Sequence, residues 1–238
     1  MYLSIGGYYF MKKKGLLVTS LAATMLLSFN SATFAEVENQ NSDNSSIIAR
    51  NQASNYTNIT SSFSYTMKRN ALEMAYAAQE DRNLGSYPAG VGLKFVQHVK
   101  SGSDWDYKRQ FGYGYYNFNG RVLAAEDIGN MHYGYVGRAA GFTRSLLSTA
   151  AGAYQIYSGT SNFAWADSYY DDPNDQAWIS YGMDLWDNRS LAKSFARSTT
   201  PNTDALYQEA VRTLTSEEKN RIKEEMKEYS KQVKSQQN

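Results

Sequence analysis

Apolar and small residues return every three or four positions in several separate windows of this 238-residue chain, and that period constrains the fold more than any other feature. Met67, Ala71, Met74, Ala75 and Ala78 recur at helical spacing and predict a helix over about 63–80. The Thr60-Ser61-Ser62 run ahead of it is rich in N-capping residue types. Leu146, Leu147, Ala150, Ala153, Tyr154 and Tyr157 predict a second helix over 145–157. Pro173 opens a third, at a position where proline is tolerated, and that helix carries Trp178, Ile179, Met183 and Trp186. Ala124–Asn130 reads as helix with Glu126 and Asp127 in an early turn. From Ser216 the chain is heavily charged, with Ile222, Met226, Tyr229 and Val233 in a narrow stripe and Glu217–Arg221 as one i,i+4 pair. Gly85–Gly92, with Pro88, reads as a loop, and Leu93–Val99 as a short helix or strand. Residues 102–122, where glycine and tyrosine alternate, read as a loop or a small hairpin. Strand signals are few and no repeat period exists. The expectation is a mostly α, single compact helical domain with room for a small β-hairpin.

The N-terminal 35 residues stand outside that domain. Lys12, Lys13 and Lys14, the apolar run Leu16–Leu27 and the small residues of Thr33-Phe34-Ala35 read as a secretory signal peptide, too short to span a membrane. Met11 is the expected true start of translation. Residues 36–60, rich in Asn, Ser and Gln, read as a disordered linker. The domain then spans 61–214, followed by a charged helix over 215–238. That tail is expected to be peripheral and free of catalytic residues. Its removal after Leu214 is expected to lower the melting temperature modestly and to spare activity. The mature protein is expected outside the producing cell or on its wall, with no stable membrane insertion.

Composition removes several classes of chemistry. The chain has no cysteine, which excludes disulfides, thiolate nucleophiles and cysteine zinc sites. Without the leader, Lys plus Arg falls from 24 to 21 against 23 Asp plus Glu, a net of −2. Such a chain is not a strongly basic nucleic-acid binder. Its 20 tyrosines suit polar polymers, because the ring stacks and the hydroxyl hydrogen-bonds.

Unusual residues concentrate in the middle of the chain. Asp104-Trp105-Asp106-Tyr107-Lys108 is followed by Glu126-Asp127-Ile128-Gly129-Asn130-Met131-His132-Tyr133-Gly134, then by Gly137, Arg138 and Gly141. Carboxylates, a lysine, an asparagine and a histidine among glycines suit general acid–base work. On a continuous helix Asp127, Asn130 and Met131 share a face, and His132 does not. His98 joins Asp106, Asp127 and His132 only as a weaker metal-ligand idea, since no ligand spacing motif exists, and no cofactor is expected. Asp171-Asp172-Pro173-Asn174-Asp175 is a second acidic knot, accounted for by helix capping.

The stretch from Lys100-Ser-Gly-Ser-Asp-Trp-Asp106-Tyr-Lys108 through Glu126-Asp-Ile-Gly129-Asn130-Met-His132-Tyr133-Gly134 to Gly141 resembles the bacterial toxin 44 family, over roughly Phe95–Trp186. The resemblance implies a mostly helical domain, a secreted toxin role and a nuclease activity on RNA, with an immunity protein as partner. It carries over Asp106, Lys108, Glu126, Asn130 and His132. With Asp127 these give the catalytic candidates Asp106, Lys108, Glu126, Asp127 and His132. Trp105, Asn130, Tyr133 and Arg138 are the binding candidates. A shorter stretch, Ser148-Thr-Ala-Ala-Gly152-Ala-Tyr154-Gln155, is similar to one in phage lysozyme-like transglycosylases and makes Glu126 the candidate acid for a glycosidic bond. The expected substrate is therefore a polymer, RNA or peptidoglycan. A non-catalytic envelope-binding protein is the third class.

Overall fold

The periodicity folds as helices. A computed structural model describes residues 55–158, 167–169, 171–191 and 203–236. The signal-peptide reading, the Met11 start and most of the linker fall outside these residues, as do the side chains of Tyr154 and Tyr157. Eight helices and a small sheet are present among them. The helices are α1 (Thr60–Leu84), α2 (Ala89–Val99), α3 (Tyr107–Phe111), α4 (Ala125–Ala139), α5 (Arg144–Ser158), α6 (Pro173–Asp187), α7 (Thr203–Thr213) and α8 (Ser216–Ser235). The strands are β1 (Thr57–Asn58), β2 (Tyr115–Phe118) and β3 (Arg121–Ala124). The domain is mostly α, as the apolar period requires. None of the described helices is long and apolar enough to cross a membrane.

Helix α1 is the spine. Phe63, Met67, Ala71, Met74 and Ala78 lie on its buried face, and each large side chain so buried contributes roughly 1.5–3 kcal/mol. Its alanines let α4 and α7 lie close against it, and α8 packs on α1 and α2. Gly85 ends α1 at φ 73°, a left-handed conformation suited to glycine. Order begins earlier than the capping run, because β1 pairs in parallel with β2 and Ile59, not Thr60, is the N-cap. The window 102–122 contains both a hairpin and the short helix α3, held by its N-cap Asp106. Asn119 and Gly120, at φ 52° and 77°, turn β2 into β3, and Phe118 pairs with Arg121. The Leu93–Val99 alternative resolves to helix α2, which starts inside the expected loop, at Ala89.

The tail stripe packs as its period dictates: Ile222 and Met226 are fully buried and Val233 nearly so. The expected Glu217–Arg221 pair does not form. Arg221 instead reaches Glu225 at 4.0 Å and Glu73 of α1 at 3.6 Å. Thr215 and Glu218 form a capping box, and Glu218 also pairs with Arg69. Below this helix Lys94, 1% exposed, places its Nζ 2.5 Å from Glu225 and 2.9 Å from Glu73.

Candidate active site

Two glycines position the site. A Cβ on Gly134 of α4 would lie 2.1 Å from the carbonyl oxygen of Ile179, and one on Gly182 of α6 would lie 1.9 Å from that of Met131. Only glycine allows two helix backbones to approach this closely. The pair runs parallel. Asn130 meets Asp175 near one end, Tyr135 meets Trp186 further along, and Arg138 meets Asp187 at the other end. The N-termini of α4 and α6 therefore open side by side, and their first turns carry Glu126, Asp127, Asn174 and Asp175.

Two of the acids there act as caps. Asp127 accepts from the Ala124 backbone N–H at 2.8 Å and from the Asn174 side chain at 3.1 Å. Asp172 accepts from the Asn174 backbone N–H at 2.8 Å. Glu126 is exposed and takes Lys108 Nζ at 2.8 Å, which raises the lysine's pKa. Asp175 differs. Its two oxygens accept amide hydrogens from Asn130 at 2.8 Å and Gln155 at 3.1 Å. Burial pushes its pKa up from 3.8 to about 6, and the charges of Asp171, Asp172 and Glu126 push the same way. A carboxyl of this kind exchanges protons near neutral pH beside a second carboxylate and a cation.

Of the sequence candidates, Lys108, Glu126, Asp127 and Asn130 meet at this opening. His132 does not join them. It is 1% exposed, its Nε2 accepts from Asn70 at 2.9 Å, and the rings of Phe63, Trp105 and Tyr107 surround it. Burial drives its pKa down to about 3, so it is a neutral core histidine rather than a proton carrier. Asp106 caps α3 and accepts from the backbone N–H groups of Gly102 at 2.7 Å and Arg109 at 3.4 Å. Trp105 is buried and stacked on His98, with centroids 4.1 Å apart. The Tyr133 hydroxyl donates to the Leu147 carbonyl at 3.0 Å. Arg138 clasps Asp187 and the Phe142 carbonyl at the far end of the helix pair. Asp106, Trp105, Tyr133 and Arg138 are thus tied into scaffold contacts. No group of three His, Cys, Asp or Glu among the described residues is arranged to hold a metal ion.

Sequence reasoning missed Asp175, Asn174 and Gln155 as site residues. The acidic knot at 171–175 was visible, but capping accounted for it, and Asp172 does cap. Its neighbour Asp175 faces the opening instead.

Residues 94–188 match the family model described as bacterial toxin 44. That segment, less than half of the chain, is similar to bacterial toxin 44 domains. No curated protein and no solved structure matches the chain. The toxin 44 match starts at Lys94 in α2 and ends at Asn188, the C-cap of α6, so it contains Lys108, Glu126, Asn130, Gln155 and Asp175. Outside it, α1 supplies Asn70 to His132 and Glu73 to Lys94, so the toxin 44 segment is completed by helices that flank it.

Proposed function

We propose that the chain is an exported bacterial toxin that hydrolyses a glycosidic bond of the cell-wall polymer by carboxyl acid–base chemistry. The carrying observation is Asp175, a carboxyl whose pKa is raised to about 6 beside the carboxylate of Glu126. Glycoside hydrolysis needs such a pair, one acid that keeps its proton near working pH and one ionised partner. In this reading Asp175 protonates the leaving oxygen. Glu126 stabilises the cationic ring or deprotonates the water that adds to it. Asn130 and Gln155 orient Asp175, and Lys108 orients Glu126. The contact from Gln155 is notable because that residue ends the stretch similar to lysozyme-like transglycosylases. A second reading, phosphodiester hydrolysis, is favoured by Lys108, a cation at the opening. Against it stand the crowd of carboxylates, which repels a polyanion, and the burial of His132. In either reading, a neutralising partner protein would cover the Lys108–Glu126 pair.

The test is release of reducing ends from purified peptidoglycan by the exported chain, with total RNA assayed in parallel. Wild type should release them, while Asp175→Asn and Glu126→Gln should not. RNA cleavage without peptidoglycan cleavage would replace this reading with the second. Activity on neither polymer would leave a binding role in its place.

A further inference from the structure

A second recess lies next to the acid–base opening, on the adjoining face of α6. The stripe Gln176, Ser180 and Met183 of α6, the first turns of α5 and the 167–169 turn border an open recess of about 560 Å³. Ligand sites typically span roughly 300–1,000 Å³. Gln176 divides this recess from the carboxyl cluster: its amide donates to the Ser148 carbonyl at 3.1 Å and to Asp171 at 2.6 Å.

We propose that this cavity is a saccharide-binding site, formed by the serines 145, 148, 168 and 180 around the ring of Tyr169. The lining, which also includes Asp167, disfavours an anion and an apolar molecule. An anion needs an unmatched cation, but Arg144 already reaches Asp184 and Asp187, each at 2.9 Å. Ser168 already donates to the Asp171 carbonyl at 2.7 Å and Ser145 pairs with Thr143 at 3.2 Å. An apolar ligand would still strip water from Ser180 and Asp167 and give no hydrogen bond in return. A neutral ring with hydroxyls on its edge and C–H groups on its face meets both halves of this wall. Serine hydroxyls donate and accept, and the aromatic face covers the C–H side.

The backbone of Tyr169 carries the same message. Tyr169 sits at φ 59°, a left-handed conformation that a bulky residue rarely adopts, and its side chain is 46% exposed. The turn is held there because its carbonyl oxygen lies against Gly152 of α5, where a Cβ would come within 1.8 Å. Glycine would fit this turn without strain. A strained, exposed tyrosine at the lip of a cavity is the arrangement expected when the ring itself is needed.

The test titrates tri-N-acetylchitotriose into the full chain by calorimetry, with inorganic phosphate as the anionic control. Saturable binding of the sugar is expected in wild type and in Asp175→Asn alike, with none for phosphate. Tyr169→Gly removes the ring and relieves the strain. It should melt no lower than wild type yet bind the sugar at least tenfold more weakly. Ser180→Leu, which fills the cavity, should do the same to affinity. Absence of binding by wild type, phosphate binding lost in Ser180→Leu, or full affinity in both cavity variants would overturn the proposal. None of this requires a bond to be cut. Sugar binding without wall hydrolysis would sink the acid–base reading and leave this site standing, whereas hydrolysis with unaltered binding in the cavity variants would do the reverse.

Discussion

Asp175→Asn should stabilise the protein at neutral pH while abolishing its activity. Asparagine has nearly the shape of a protonated aspartate, with one accepting and one donating end, so once the Asn130 or Gln155 amide turns its oxygen towards the donating end the variant imitates the neutral form at every pH. The Asp175 pKa rises from 3.8 unfolded to about 6 folded. The folded state therefore binds more protons than the unfolded state between these values, and wild-type stability falls as pH rises through that window. A shift of about 2 units at 1.36 kcal/mol each sets a ceiling near 3 kcal/mol. Asp175 is only partly buried, so solvent screening reduces this to about 1–2 kcal/mol. At pH 7 the variant should melt roughly 2–8 °C higher than wild type. Below pH 3.8 the two should coincide, because Asp175 is then protonated in both states. Paired thermal melts by circular dichroism from pH 3.5 to 8 measure the difference directly. The paired design matters because burial also raises the pKa of Asp81, Asp127 and Asp171, which adds slope to both curves. A gap between the curves that does not widen from pH 4 to 7, or a variant less stable at pH 7, would refute the assignment of Asp175 as the strained acid.

Gly134→Ala and Gly182→Ala place a Cβ against a backbone carbonyl that cannot move aside, and each should cost at least about 3 kcal/mol in denaturant unfolding. His132→Ala leaves a cavity and removes one of the two acceptors of the Asn70 amide, which keeps the Tyr107 hydroxyl at 2.8 Å, and should cost about 2–4 kcal/mol without changing the pH–activity profile of the folded fraction. The wild-type His132 ring should show no protonation above about pH 4 by NMR, since its pKa lies near 3. Because that value is below the unfolded 6.5, stability is lost as pH falls between the two. Cutting after Leu214 removes the fully buried Ile222 and Met226 and the Glu225 partner of Lys94. The loss should be about 4–8 kcal/mol, larger than the modest loss expected from the tail's charge and comparable to the whole stability of many domains.

Much of the fold was legible because its cause is local. The face of Met67, Ala71 and Met74, the proline opening α6 and the stripe of α8 each need only their own neighbours to be recognised. The Asn119-Gly120 turn lies within the window read only as a loop or a small hairpin. Helix α7 went unseen because Leu206, Tyr207 and Ala210 are a short apolar set inside a polar segment, and α3 because five residues held by one Asp106 cap have no period to display. The site was only half legible. Lys108, Glu126 and Asn130 stand out as polar residues gathered in one stretch. Asp175 and Gln155 do not, since nothing near them in the chain indicates that α4 and α6 run parallel. That relation depends on Gly134 and Gly182, which read singly as two glycines among many. The burial of His132 is equally nonlocal, for it depends on Phe63 and Asn70 of α1.

The parallel pair also explains why one acid differs from its neighbours. Two adjacent N-termini gather partial positive charge, an unfavourable arrangement unless carboxylates are placed there. The chain supplies more of them than the caps use. Asp127 and Asp172 accept backbone N–H groups, and Glu126 has Lys108. Asp175 is held by two neutral side-chain amides, with the charges of the other acids around it. A helix N-terminus ordinarily lowers the pKa of a carboxyl in its first turn, so an upward shift at this position means that burial and like charge outweigh the dipole. The acidic knot that caps α6 thus adds to burial in raising the pKa of its own last member. Removing Asp171 or Asp172 should lower that pKa and shift the acid limb of activity with it, even though neither residue reaches the bond.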